Sequence, residues 1–168
     1  MLEPTDWPGG QLTASNVPPD FGPANNFPAN LPMDFVNLLL AVAGPTWQTN
    51  PGECWVSYKC FQAQTAAEYI KNLLSGFPSL KVYYNTVVKS SVKTDSRITQ
   101  ITAIQRTPKL NTTGYEGEYS ASFSDWYSAS PSDRFDKEII VFSNFKVAIE
   151  ATEYADLLMT SGFDSQVS

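Results

Sequence analysis

The sequence predicts an α/β fold: a mixed sheet that includes an antiparallel β-meander, carried by two main helices. Three observations predict it. Residues 80–107 are dense in β-branched and aromatic side chains, broken by one turn signal at Asp95-Ser96. Residues 65–78 space apolar side chains helically between a start and a stop signal. Two further short apolar runs, 138–142 and 146–149, lie downstream as additional strands. The chain has 168 residues, the length of one domain with a sizeable core, and a hydrophobic content of 42% excludes a compositionally disordered chain.

The chain begins with a short apolar start, Met1-Leu2, that ends at once in an acid, Glu3. Open α/β sheets bind ligands at the carboxyl ends of their strands, so an acid there is a candidate ligand residue. A turn with Pro4 and Pro8 leads to Gly9-Gly10, where backbone can approach a ligand with no Cβ in the way. Nine of the twelve prolines precede Cys54, and residues 14–30 can be neither helix nor central strand. With residues 31–62 they form a proline- and aromatic-rich excursion that holds one helix. That helix is capped by Asn30, has Pro32 in its first turn and Phe35, Leu38, Leu39 and Val42 on one face, and is stopped by Gly44-Pro45. Within residues 46–62, the stretch 54–58 reads as a short strand.

The second helix has the stronger signals. Thr65 and Glu68 make a T-x-x-E capping box, Tyr69, Ile70, Leu73 and Leu74 share one side, and Gly76 with Pro78 closes it. Residues 80–85 are a strand, and 86–93 continue it or pair with it. After Asp95-Ser96, residues 97–107 form the next strand, with Ile98, Ile101 or Ala103, and Ile104 as its apolar positions. Residues 108–136 are polar and aperiodic, a surface insertion tacked to the body by Trp126 and Tyr127. Its Asn111-Thr112-Thr113 tripeptide fits a glycosylation acceptor, a signal without force unless the chain is secreted. Residues 138–142 and 146–149 are the last strands, 150–153 lie at the carboxyl end of the second, and a short helix spans 154–159.

Composition excludes several functions. A net charge of −6 and a pI near 4.5 oppose a nucleic-acid or anionic-membrane surface. No apolar run reaches the ~20 residues of a membrane span, and the first residues do not show the positively charged, then apolar, pattern of a signal, which in a fragment says nothing about targeting. The absence of histidine removes Ser-His and Cys-His nucleophile pairs and histidine metal sites. Cys54 and Cys60 fit neither a C-x-x-C pair nor a zinc knuckle and read as two buried thiols, with a dithiol redox role the minority view. No spacing selects two carboxylates for a hydrolase.

The order of elements, with Glu3-Pro4-Thr5-Asp6-Trp7-Pro8-Gly9-Gly10-Gln11 near one end and Ala151-Thr152-Glu153-Tyr154-Ala155-Asp156-Leu157-Leu158 near the other, carries a resemblance. It resembles the FAD-dependent oxidoreductase family of two-dinucleotide-fold flavoproteins, whose members carry Glu-x-Thr-x-x-Gly-Gly-Gln and Ala-Thr-Glu-x-Gly-Asp-Leu-Leu. Asp125-Trp126-Tyr127-Ser128 and Arg134-Phe135 are similar to segments of the same group. The resemblance implies a partial FAD/NAD(P)-binding, Rossmann-like domain and FAD as cofactor. It implies that Glu3 bonds the adenosine ribose, and that Gly9, Gly10 and Gln11 line the ribose and pyrophosphate path. It further implies that Val88 meets the adenine edge through its main chain, that Ala151 and Thr152 pack beside the cofactor, and that Asp156 lies close by. On bare sequence Val88 is a core valine, Thr152-Glu153 an ordinary helix N-cap with its acid, and Asp156 a solvated helix acid.

Two departures from the family pattern stand out. Ala155 occupies the place of a family glycine, a cost if the backbone there needs positive φ. No G-x-G-x-x-G turn lies within the 168 residues, so the chain resembles an internal piece of a longer flavoenzyme, and an exposed sheet edge with self-association is expected. The expected function is a flavin oxidoreductase, or a piece of one, acting on a small-molecule substrate that no residue pattern identifies. The competing readings are a non-catalytic binding module, for instance for carbohydrate, motivated by Trp7, Trp47, Trp55 and Trp126 and an aromatic content of 13%, and an inactive truncated remnant.

Overall fold

The computed structural model describes residues 1–15, 17, 37, 41, 61–109, 123–152 and 155–162. The expected helix over 30–44 lies outside these residues except for Asn37 and Ala41, both helical. The expected strand over 54–58, both cysteines, the 111–113 tripeptide, Glu153 and Tyr154 also lie outside them. The chain divides into two compact units, residues 1–6 with 81–168, and residues 7–80.

The larger unit is built on a three-stranded antiparallel meander, β1 (Thr86–Thr94), β2 (Arg97–Pro108) and β3 (Phe135–Ser143), in that spatial order. A two-residue turn joins β1 to β2, with Asp95 at φ 55°, a conformation that Asp and Asn adopt at least cost among residues with a Cβ. Val87 pairs with Ile104 and Ile104 with Ile139; Val88 pairs with Ala103 and Ala103 with Ile140. Paired residues share a face, so Ile104 and Ala103 point to opposite sides of β2, and both are fully buried. The central strand is therefore covered on both faces. Val87, Ile104 and Trp126 form the cluster on one side, where the short helix α2 (Phe123–Trp126) brings the tryptophan in. Trp126 is thus buried against the meander, as the sequence predicts. The last helix, α3 (Asp156–Ser161), packs on β1 and buries Leu157.

Residues 1–6 run beside 81–86. Leu2 forms a parallel bridge with Tyr83, and Glu3 N–H donates to Tyr83 O at 2.9 Å. The expected strand over 80–85 is reduced to this single bridge. Among the described residues no strand pairs with 146–149, the other expected strand; the segment is irregular, with Val147 74% and Ile149 85% exposed. β-branched content makes a strand only where a neighbouring edge accepts its backbone bonds.

The smaller unit contributes a 3₁₀ turn, Gly10–Leu12, and helix α1 (Ala63–Ser75). Its buried positions Ala63, Ala66 and Ala67, with the half-buried Ile70, follow the i, i+3, i+4, i+7 rule, while Leu73 is half exposed. The helix starts two residues before the predicted capping box. Gln62 is its N-cap and makes no side-chain cap bond, so Thr65 lies inside the first turn, and Glu68 instead accepts from Gln64 Nε2 at 3.0 Å. The helix ends at Ser75, and Gly76 N–H bonds back to Leu73 O at 3.2 Å.

Candidate functional site

Glu3 closes the parallel-paired segment and is buried at 8% exposure. Its Oε1 accepts from Thr5 N at 3.2 Å and from Thr5 Oγ1 at 3.1 Å. Burial is the main cause that pushes the Glu3 carboxyl up to about 7, with Asp6 adding to the rise and the two Thr5 bonds opposing it. The partial burial of Tyr84 itself, and then the charge of Glu3, raise the Tyr84 phenol. The Glu-x-Thr spacing thereby acquires a physical meaning: Thr5 is the donor that holds the acid in place. The motif itself signalled this residue, although composition did not.

The backbone around Glu3 is bonded throughout. Thr86 N donates to Glu3 O at 2.9 Å and Asn85 N to Thr5 O at 3.1 Å. Pro4 O accepts from Arg106 Nη2. Arg106 is 2% exposed, its Nε reaches Asn85 O at 3.4 Å, and its guanidinium carbon lies 4.6 Å from the Trp126 ring centre and 5.5 Å from that of Phe135. Sequence reasoning missed Arg106, yet it shares the face of Ile104 by the two-residue period of the strand.

The segment Asp125-Trp126-Tyr127-Ser128 is resolved residue by residue. Asp125 pairs with Lys137 Nζ at 2.7 Å and accepts from Ser132 Oγ, while Lys137 also donates to Asp125 O at 3.0 Å and Ser128 O at 2.9 Å. Burial opposes the Asp125 charge, but the bonds from Lys137 and Ser132 and the charges of Lys137 and Arg106 outweigh it and hold the carboxyl below its usual range. Trp126 lies under Arg106. Tyr127 donates its hydroxyl to Asp156 Oδ2 at 3.0 Å.

Around α3 the carboxylates are differentiated. Glu150 Oε1 accepts from Thr152 N and Oε2 from Leu157 N, each at 2.7 Å. Despite burial, the Thr152 bonds and the helix N–H groups hold Glu150 below the usual carboxylate range. Asp156 is raised, by burial first and by the charge of Glu150, against the Tyr127 bond. Thr152 Oγ1 accepts from Asp156 N at 3.0 Å, so Thr152 is joined directly to the first residue of α3, although the N-cap position itself is Ala155 and not Thr152. Ala155 adopts φ 53°, ψ 40°, the left-handed conformation that favours glycine. Among the described non-glycine residues at positive φ the others are Asn85, Asp95 and Asn144, so Ala155 is the unsuited one.

Val88 is a buried position of β1, beside a register shift between Val88 and Ser90 on a strand that β2 borders on one side. Ala151 is exposed. No bond joins Glu3 to Thr152 or Asp156 among the described residues. In the smaller unit the two glycines differ. A Cβ on Gly9, at φ 121°, would lie 2.7 Å from Ile70 Cδ1 and 2.8 Å from Thr13 Cγ2, whereas one on Gly10, at φ 54°, meets nothing within 4 Å. Gly9 is held by packing; Gly10 faces open space, with Gln11 exposed after it. Thr13 Oγ1, fully buried, reaches Trp7 O at 3.0 Å and Pro8 O at 3.1 Å and fixes the turn.

Each unit by itself offers a feature that suits part of a dinucleotide. A buried carboxylate whose Oε1 takes both Thr5 donors retains acceptor capacity for sugar hydroxyls. Gly10 leaves room for close backbone approach. Trp126, one of the tryptophans that motivates a carbohydrate module, is 1% exposed and offers no stacking surface. Among the described residues no helix is long and apolar enough to cross a membrane. The sequence profile of the family described as FAD dependent oxidoreductase matches residues 1–116, well over half of the chain. No curated protein and no solved structure matches it.

Proposed function

The chain belongs to the FAD dependent oxidoreductase family, and from that premise we propose that it carries the adenosine side of an FAD site on a Rossmann-like domain of a flavin oxidoreductase. The observation that carries this reading is Glu3, a buried acid at the end of a parallel-paired segment, held by Thr5 and with acceptor capacity left over. When bound, FAD supplies hydride and electron transfer, and the protein supplies binding and orientation. Glu3 accepts hydrogen bonds from the adenosine ribose. Val88 meets the adenine edge through its main chain. Gly9, Gly10 and Gln11 are assigned the pyrophosphate path by the same family pattern, Gly10 through the open space at its α-carbon and Gly9 through the turn it permits. Ala151 and Thr152 are assigned the place beside the cofactor by the family pattern, and Asp156, which accepts the Tyr127 hydroxyl, a place close by.

The reading is tested by titrating the protein with FAD and with FMN, which lacks the adenosine half, and following flavin fluorescence. Saturable binding of FAD but not of FMN is expected. Equal binding of both, or of neither, contradicts it.

A further inference from the structure

We propose that Arg106 is the positioning residue of Glu3: stacked on Trp126 and Phe135, it grips the Pro4 carbonyl and so sets where the Glu3 carboxylate stands for an adenosine ribose. The proposal rests on the ribose role given to Glu3 above. It starts from the way the Glu3 turn is held. The bonds at Glu3 N, Glu3 O and Thr5 O are backbone to backbone, from or to Tyr83, Thr86 and Asn85. Those bonds fix the paired segment. Pro4 O, at the corner between the acid and its Thr5 donor, accepts from the Arg106 side chain.

Arginine suits this place where lysine does not. One planar fork reaches Pro4 O through Nη2 and Asn85 O through Nε, so it ties together the two segments that flank the turn. Aromatic rings lie against the same guanidinium, with centres 4.6 Å and 5.5 Å away. A buried cation needs a counter-charge, and Asp125, held by Lys137, contributes one, since the Arg106 charge helps keep that carboxyl ionised. The segments Asp125-Trp126 and Arg134-Phe135, far from Glu3 in sequence, therefore converge on it through one side chain. A residue serving packing alone has no reason to grip the carbonyl that adjoins the ligand acid.

The test reads Glu3 itself as well as the cofactor. Glu3 is followed by carboxyl ¹³C NMR, its signal assigned by its loss in Glu3→Gln, and FAD affinity is measured by fluorescence at pH 8. In the natural chain Glu3 titrates near its raised value of about 7. In Arg106→Met the loosened turn lets water in, so the midpoint moves toward the ordinary 4.5 and FAD binds tenfold or more weakly. Arg106→Lys keeps the charge and restores less than half of either change, because it lacks the fork. Should Arg106→Met fail to fold by circular dichroism, Arg106→Lys and Phe135→Leu decide through the same two readouts. A folded Arg106 variant with the natural Glu3 midpoint overturns the proposal. If the natural chain binds no FAD, the ribose reading fails, while the Glu3 midpoint still decides whether Arg106 sets the position of the acid.

Discussion

The Tyr127 hydroxyl lies 3.1 Å from Asp156 Oδ1 and 3.0 Å from Oδ2, joining the loop after α2 to the first residue of α3. Removing it in Tyr127→Phe leaves a half-buried carboxylate without its donor. A loss of about 1–2 kcal/mol in a denaturant melt is expected, the range of a hydrogen bond to a charged group with some solvent access. The Asp156 carboxyl, already raised, rises further because the bond from Tyr127 opposes that rise. An unchanged melt and an unchanged Asp156 titration count against the link.

Ala155 offers the opposite sign. Its φ of 53° is a left-handed conformation that an alanine holds at a cost of about 1–2 kcal/mol, and glycine holds freely. Part of the gain from Ala155→Gly is returned through the looser unfolded chain. A net stabilisation of about 0.5–1 kcal/mol is expected, seen as a higher melting temperature. A lower one means that the strain is relieved in solution.

Glu3 makes stability depend on pH. Its folded-state value of about 7 lies above the ordinary 4.5, so its burial costs nothing below pH 4 and its full cost appears above 7. The chain loses stability between those limits, on the order of 3 kcal/mol. Glu3→Gln keeps an oxygen for the Thr5 donors and removes the charge. It is expected to match the natural chain at pH 4 and to exceed it at pH 8, measured by thermal melts across that range. Equal stability of the two at pH 8 refutes the assignment.

The two glycines separate packing from ligand approach. Gly9→Ala forces a methyl group against Ile70 and Thr13 at φ 121° and is expected to cost more than 2 kcal/mol. Gly10→Ala meets no neighbour and costs about 1 kcal/mol for its φ of 54°, yet weakens FAD by filling the open space. Melts and FAD titrations of both variants check this; equal destabilisation by both defeats the distinction.

The meander was legible in the sequence because β2 places Ala103 and Ile104 next to each other, both apolar, and Asp95 marks the turn before it. Trp126 and Tyr127 were legible as anchors because large aromatics in a polar stretch must bury somewhere. The segment 146–149 misled for the same compositional reason that β2 did not: pairing with a neighbour, which sequence does not display, decides whether apolar residues form a strand. Thr65 and Glu68 matched the capping pattern, but helix α1 began before them because Ala63, Ala66 and Ala67 gave it a buried face. In the candidate site Glu3, Gly10, Thr152 and Asp156 entered through the family motifs, since on bare sequence Thr152 reads as a helix cap and Asp156 as a solvated acid. Arg106 was hidden because a charged residue near a strand end reads as solvated, and its rings come from residues twenty or more positions away. Glu150 was hidden because its role, accepting N–H groups from α3, depends on a turn of the chain that spacing alone does not describe.

FAD titrations of the natural chain and of Glu3→Gln at pH 6 and pH 8 test the central claim most directly. Ribose hydroxyls favour the ionised acid, so the natural chain is expected to bind FAD more tightly at pH 8 than at pH 6, on either side of its value of about 7. Glu3→Gln is expected to show no such pH dependence and to bind about 10- to 100-fold more weakly at pH 8, the equivalent of about 1.5–3 kcal/mol for a charge-assisted bond. A Glu3→Gln variant that binds FAD as tightly as the natural chain at pH 8 contradicts the account.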